Sequence, residues 1–220
     1  MNIKTVIALL VVVVLIIVGV MLTGSGDNET GPIKIGFIAP LSGDAAVYGE
    51  PARNIIQLAV DDINTAGGID GRMLEVFFED GQCDGTSAAN AAQKLINVDG
   101  VNIIIGGFCS GESLAAEPLA TANKVLLFSP GSSSPDLTAI SEFYVRNYPS
   151  DATQGAVLAG VAFNDKGWGK VAFMQEQLDY PLGVYNAFND EFILLGGEVV
   201  REQFPTSESD FRTRLTKLRT

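Results

Sequence analysis

The sequence predicts an α/β fold on a parallel sheet, and three features of the chain carry that reading. From Ile33 onward, short β-rich apolar runs alternate with segments of helical periodicity. The helical segments lie between successive runs, and a strand returns parallel to its neighbour only through a crossover of about a dozen residues or more. Glycine, serine and aspartate collect directly after the runs, where the loops of such a sheet carry ligands.

The elements follow in order. Ile33 to Pro40 reads as a strand running into the loop Leu41 to Tyr48. Gly49 or Glu50 then opens a helix whose predicted inner face is Ile55, Ala59 and Ile63, at i, i+4, i+8 spacing. Gly67-Gly68 end it by supplying left-handed backbone. After a turn at Asp70-Gly71 come a strand from Leu74 to Glu79, a helix from Ser87 to Asn97 and a strand from Val101 to Gly106. A helix from Ser110 to Asn123, interrupted or kinked at Pro118, leads to a fourth strand from Val125 to Ser129.

Composition narrows the function. The 220 residues hold 14 basic and 26 acidic side chains, a formal charge of −12, which repels nucleic acid. There is no histidine, so the commonest general base and metal ligand are absent, and neither a metal nor a cofactor is expected. Residues 1–25 differ from the rest: Lys4 precedes the apolar run Val6 to Leu22, which reads as an export signal or an uncleaved membrane anchor, an N-terminal hydrophobic helix. Residues 26–32 read as a linker.

The post-strand loops are Leu41 to Tyr48, Asp80 to Gly85, Gly107 to Gly111 and Pro130 to Pro135. Phe108-Cys109-Ser110-Gly111 opens a helix, whose free N–H groups favour a carboxylate, and Pro130 to Pro135 adds hydroxyls and amides. Each loop alone is also ordinary turn chemistry; two hydroxyl-rich loops on one sheet point to binding. Cys83 and Cys109 both fall in these loops, and an even count behind an export signal argues for one disulfide rather than a metal site. Gly107 to Gly111 also fits the G-x-C-x-G elbow of a Cys-nucleophile hydrolase, but the chain offers no histidine base and a disulfide consumes the thiol.

These residues carry a resemblance. Ile35-Gly36-Phe37-Ile38-Ala39-Pro40-Leu41-Ser42-Gly43, Tyr48-Gly49, Asp62-Ile63-Asn64 through Gly67-Gly68-Ile69-Asp70-Gly71, and Ser129-Pro130 to Leu137 resemble the leucine/isoleucine/valine-binding proteins of ABC importers, a family of type I periplasmic binding proteins. The resemblance implies two Rossmann-like lobes joined by a hinge. It places a first ligand-binding lobe at 33–148 and a partial second lobe at 149–220, beyond a hinge-like stretch from Phe143 to Pro149. In the second lobe the expected elements are a helix Ser150 to Asn164, a strand Lys170 to Gln175, a helix Tyr180 to Leu195, a strand Glu198 to Phe204 and a helix begun at Ser209-Asp210.

By motif match, the resemblance implies that Ser110, Gly131 and Ser133 hold a ligand carboxylate, with Gly131 and Ser133 also reaching its ammonium. Tyr48 and Phe108 would wall the pocket, Tyr180 would approach from the second lobe, and Cys83 and Cys109 match a disulfide of close relatives. The acidic partner of the ammonium is expected beyond Thr220. The implied activity is non-enzymatic and extracytoplasmic: delivery of a small amino acid to an ABC permease by hinge closure. The alternatives are a sensor ectodomain and a binder of amides or urea on the same scaffold.

Overall fold

The computed structural model describes residues 31–218. The predicted export segment Val6 to Leu22 lies outside them. Among the described residues, no helix is long and apolar enough to cross a membrane.

Five parallel strands form the larger sheet: β1 (Ile33–Ala39), β2 (Leu74–Asp80), β3 (Ile103–Ile105), β4 (Leu126–Ser129) and β5 (Tyr144–Arg146), in the spatial order β2-β1-β3-β4-β5. Its crossovers are α1 (Ala46–Thr65), α2 (Gly85–Lys94) and α3 (Ser110–Ala122). Side chains alternate across a strand, so neighbouring residues serve opposite faces. Ile38, Ile104 and Leu127 pack with Ala88, Ala91, Ala92 and Leu95 of the α2 region and with Ala116 and Ala120 of α3. On the other face Phe37 meets Phe78 edge-on, with centroids 5.6 Å apart, and Arg53 of α1 lies over the Phe78 ring. Both faces are thereby covered, as an all-parallel sheet requires.

A smaller layer follows: α4 (Asp151–Gly160), strand β6 (Lys170–Glu176), α5 (Asp179–Leu194), strand β7 (Glu198–Phe204) and α6 (Arg212–Lys217). β6 and β7 pair in parallel as a separate two-stranded sheet. Its core is Ala159, Ala162, Phe188 and Phe192, with Phe163, Phe173, Val171 and Val199 packed around it. Both layers belong to one compact unit, Ile33–Thr220.

Several expectations shift. α1 begins at Ala46, ahead of Gly49, and its buried line is not Ile55, Ala59 and Ile63. Ile55 is 66% exposed and Ala59 exposed, whereas Gly49 and Val60 are buried, Val60 at 7%. The reason is Gly49: a Cβ there would collide with the Pro40 carbonyl, so this position must face the sheet. At 100° per residue, that sets Ile56 and Val60 inward and Ile55 outward. α2 is the predicted second helix, but it starts at Gly85 because Asp84 caps it, accepting from the Ser87 amide at 2.8 Å. It continues into a wider turn, Leu95–Asp99. α3 runs unbroken through Pro118, and α6 starts at Arg212 rather than Ser209-Asp210. The stretch read as a hinge contains β5, a strand the sequence reading lacked.

Candidate functional site

The carboxyl ends of β1, β2, β3 and β4 are bound to one another before any ligand arrives. Asp80, closing β2, accepts from the Leu41 amide (2.8 Å), the Ser42 hydroxyl (2.5 Å) and the Gln82 amide (3.0 Å). Burial opposes the charged form of Asp80, but these hydrogen bonds together outweigh it and hold the carboxyl below its ordinary range. Cys83 and Cys109 form a disulfide with Cα atoms 5.3 Å apart. Beneath it, the buried Glu112 accepts from the Cys83 amide (3.0 Å) and the Cys109 amide (2.9 Å). Burial pushes the Glu112 carboxyl up, against the pull of the Cys109, Cys83 and Phe108 amides. The loops carrying the predicted residues are thus fixed by the disulfide and by the side chains of Asp80 and Glu112.

Further serines anchor the next loop. The hydroxyls of Ser113, Ser129 and Ser132 all reach the Gly107 carbonyl, at 3.0, 2.7 and 3.0 Å. Ser110, only 2% exposed, accepts through Oγ from the amides of Ser133 (3.3 Å) and Ser134 (3.1 Å). A hydroxyl has one proton and two lone pairs. With both lone pairs engaged, Ser110 has its own proton left to donate.

All six residues predicted to bind ligand line one cavity of about 810 Å³ between the two layers: Tyr48, Phe108, Ser110, Gly131, Ser133 and Tyr180. Tyr48 and Phe108 stack, with centroids 6.4 Å apart and planes 18° off parallel. Gly131 backs onto Phe108, whose carbonyl oxygen would lie 2.8 Å from a Cβ at that position. Tyr180 enters at the start of α5; burial first, then the charges of Asp151 and Tyr148, raise its phenol above the ordinary value. The disulfide forms part of the wall, so Cys109 is not a free thiol.

The cavity also contains residues outside the predicted set, and the acids among them are Asp151 and Asp179. Asp151, the first residue of α4, is 5% exposed, and its Oδ2 has no hydrogen-bond partner among the described residues. A buried carboxylate oxygen without a donor is costly, and no described residue supplies one. Asp179 lines the same cavity, and none of the lining residues is basic. The sequence signal was Ser150-Asp151 after Pro149: it reads as a helix cap, and Ser150 does cap α4 by accepting from the Ala152 amide at 3.3 Å. Capping explains the serine and leaves the buried aspartate unexplained. Among the described residues no cluster of His, Cys, Asp or Glu is arranged to hold a metal ion.

Known proteins share the fold of this chain. A Leu/Ile/Val-binding protein of Rhizobium johnstonii is 32% identical over 193 residues, covering 85% of this chain and 51% of its own. The branched-chain amino acid transporter substrate-binding protein of Streptococcus pneumoniae, solved with isoleucine, superposes with a TM-score of 0.72 at 33% identity, over 86% of this chain and 54% of its own. An ABC-transporter solute-binding protein of Rhodopseudomonas palustris, solved with 3,4-dihydroxybenzoic acid, superposes with a TM-score of 0.69 at 30% identity, over 85% and 51%. The chain therefore spans about half the length of the relatives it matches. The profile of the periplasmic binding proteins matches residues 32–220, so the chain belongs to the periplasmic binding protein family.

Proposed function

We propose that the chain is the ligand-docking part of an extracytoplasmic solute-binding protein for a branched-chain or similar small amino acid. It would deliver that solute to an ABC permease without catalysing a reaction, and residues 1–25 would export or tether it. The observation that carries the reading is that Ser110 and Asp151 line the same cavity side by side, joined through Ser133, whose amide meets Ser110 Oγ and whose carbonyl meets the Asp151 amide. The Ser110 hydroxyl and the N-terminus of α3 suit a carboxylate. The neighbouring Asp151 carboxyl suits the ammonium on the same carbon. The rest of the wall, which would take the side chain, is apolar and aromatic: Tyr48, Phe108, Tyr148, Val157, Leu158 and Tyr180.

Asp151 also separates the solutes reported for the relatives. Isoleucine and 3,4-dihydroxybenzoate both present a carboxylate, and only isoleucine presents an ammonium. A buried acid facing the cavity favours the amino acid and repels a second anion. In this reading, residues 33–148 and 149–220 act as lobes. The solute docks on the first and stabilises the closed arrangement by binding it better than the open one.

Calorimetry on the full-length gene product tests this, with leucine, isoleucine, valine and 3,4-dihydroxybenzoate as titrants. The expected result is heat with the amino acids, lost in Ser110→Ala and in Asp151→Asn. Binding of the benzoate in place of the amino acids, or amino-acid binding unaltered in Asp151→Asn, would overturn the assignment.

A further inference from the structure

The loop after β4 is gripped from behind at three consecutive carbonyls. Arg146, ending β5, donates through Nη1 to the carbonyls of Ser132 (3.3 Å) and Ser134 (2.7 Å), and through Nη2 to Thr138 Oγ1 (2.9 Å). The Asp151 amide donates to the carbonyl between them, that of Ser133, at 2.9 Å. Both donors belong to residues 146–151, the stretch by which the chain leaves the five-stranded layer for the two-stranded one.

Peptide geometry turns this grip into an aim. In a planar trans peptide the C=O and the following N–H point in opposite directions. Arg146 holds the Ser132 carbonyl, so the Ser133 amide is directed away from it, onto Ser110 Oγ. The Asp151 amide holds the Ser133 carbonyl, so the Ser134 amide is likewise directed onto Ser110 Oγ. Those two amides occupy the lone pairs of Ser110 and leave its proton for the cavity. The Ser134 carbonyl precedes Pro135, which has no amide, so its bond to Arg146 simply fixes the end of the loop.

We propose that Arg146 is a positioning residue for the Ser110 hydroxyl of the cavity. It orients the Ser132–Ser133 peptide, and through it the Ser110 hydroxyl, and it ties that orientation to the path the chain takes between the layers. Arginine suits the task because its planar fork reaches two carbonyls and a hydroxyl at once, which the single ammonium of lysine does not. The binding consequence rests on the amino-acid reading above; the orientation does not.

The test uses the full-length gene product, Arg146→Met and Arg146→Lys, with two readouts. Without ligand, hydrogen exchange at the Ser133 amide rises about tenfold or more in Arg146→Met, while the Ser134 amide, aimed by Asp151, and the β1 and β3 amides stay protected, and Arg146→Lys falls between. With L-leucine and L-leucinamide as probes, Arg146→Met raises the leucine Kd about tenfold or more and narrows the preference for leucine over the amide, because the Ser110 contact to the carboxylate is misaligned. Unchanged exchange at Ser133 in both variants would overturn the proposal. So would a leucine Kd in Arg146→Met within about twofold of a wild type that binds leucine. If the wild type binds no leucine, the amino-acid reading falls and the exchange result alone decides the role of Arg146.

Discussion

The two layers differ in how much core they own. The five-stranded layer has a cluster of thirteen buried residues running from Ile38 through Leu127 to Tyr144. The two-stranded layer has four, and two of them are the stacked pair Phe188 and Phe192. Apolar side chains on its helices stay exposed, among them Val157, Leu158, Ile193 and Leu194. Ser110 and Ser133 sit on the well-packed layer, and Tyr180 and Asp179 sit on the lean one. In the proposed function, the well-packed layer supplies the serine contacts and the two-stranded layer closes onto the solute.

Core substitutions test this division most strongly. Ile104→Ala is expected to lower global stability by about 2–5 kcal/mol in urea unfolding. Phe192→Ala is expected to cost about 3–5 kcal/mol, but the loss should appear as local opening of β6, β7, α4 and α5, with β1 and β3 exchange unaltered. Equal loss of protection in both layers for both variants would break the comparison. The disulfide comes next: Cys83 and Cys109 are 26 residues apart, and replacing both by serine should cost about 3 kcal/mol, felt in the five-stranded layer. A urea midpoint insensitive to reductant would contradict this.

The contact between layers gives a smaller effect. On α5, a Cβ at Gly183 would lie 2.8 Å from Pro135 Cδ and 3.2 Å from Ser134 Oγ. Gly183→Ala should therefore cost about 1–3 kcal/mol at that contact, seen as weaker leucine binding with exchange inside each layer unchanged. Leucine affinity equal to wild type would show that the layers need not approach so closely.

Asp80 supplies the smallest effect, visible only in acid. Its folded pKa lies below the unfolded value of about 3.9, so its stabilisation is complete above that value and is lost as pH falls through the folded pKa. Asp80→Asn should flatten the acid end of the stability curve below about pH 4 and leave its slope near neutrality as it was. An unchanged acid limb would remove Asp80 from the account. Glu112 runs the other way: its raised pKa means that its carboxyl is best tolerated protonated, so its contribution weakens as pH rises past the unfolded value.

What the sequence made legible follows from which signals are local. β1, β2, β6 and β7 stood out as apolar runs followed by polar loops, and the serines of the β3 and β4 loops announced themselves by position. β5 escaped because it is three residues, Tyr144-Val145-Arg146, with a single buried side chain. The inner face of α1 escaped because it is set by the approach of Gly49 to Pro40, a tertiary constraint that periodicity does not contain. Asp151 and Arg146 escaped for the same reason. An acid at a helix start and an arginine in a short strand are unremarkable until burial and partners are known.

A crystal structure of the full-length gene product with leucine tests the central claim most directly. The account predicts the leucine carboxylate within hydrogen-bond distance of Ser110 Oγ and its ammonium against Asp151, with the side chain among Tyr48, Phe108 and Tyr180. Leucine bound in the reverse orientation, or elsewhere than between these residues, would contradict it.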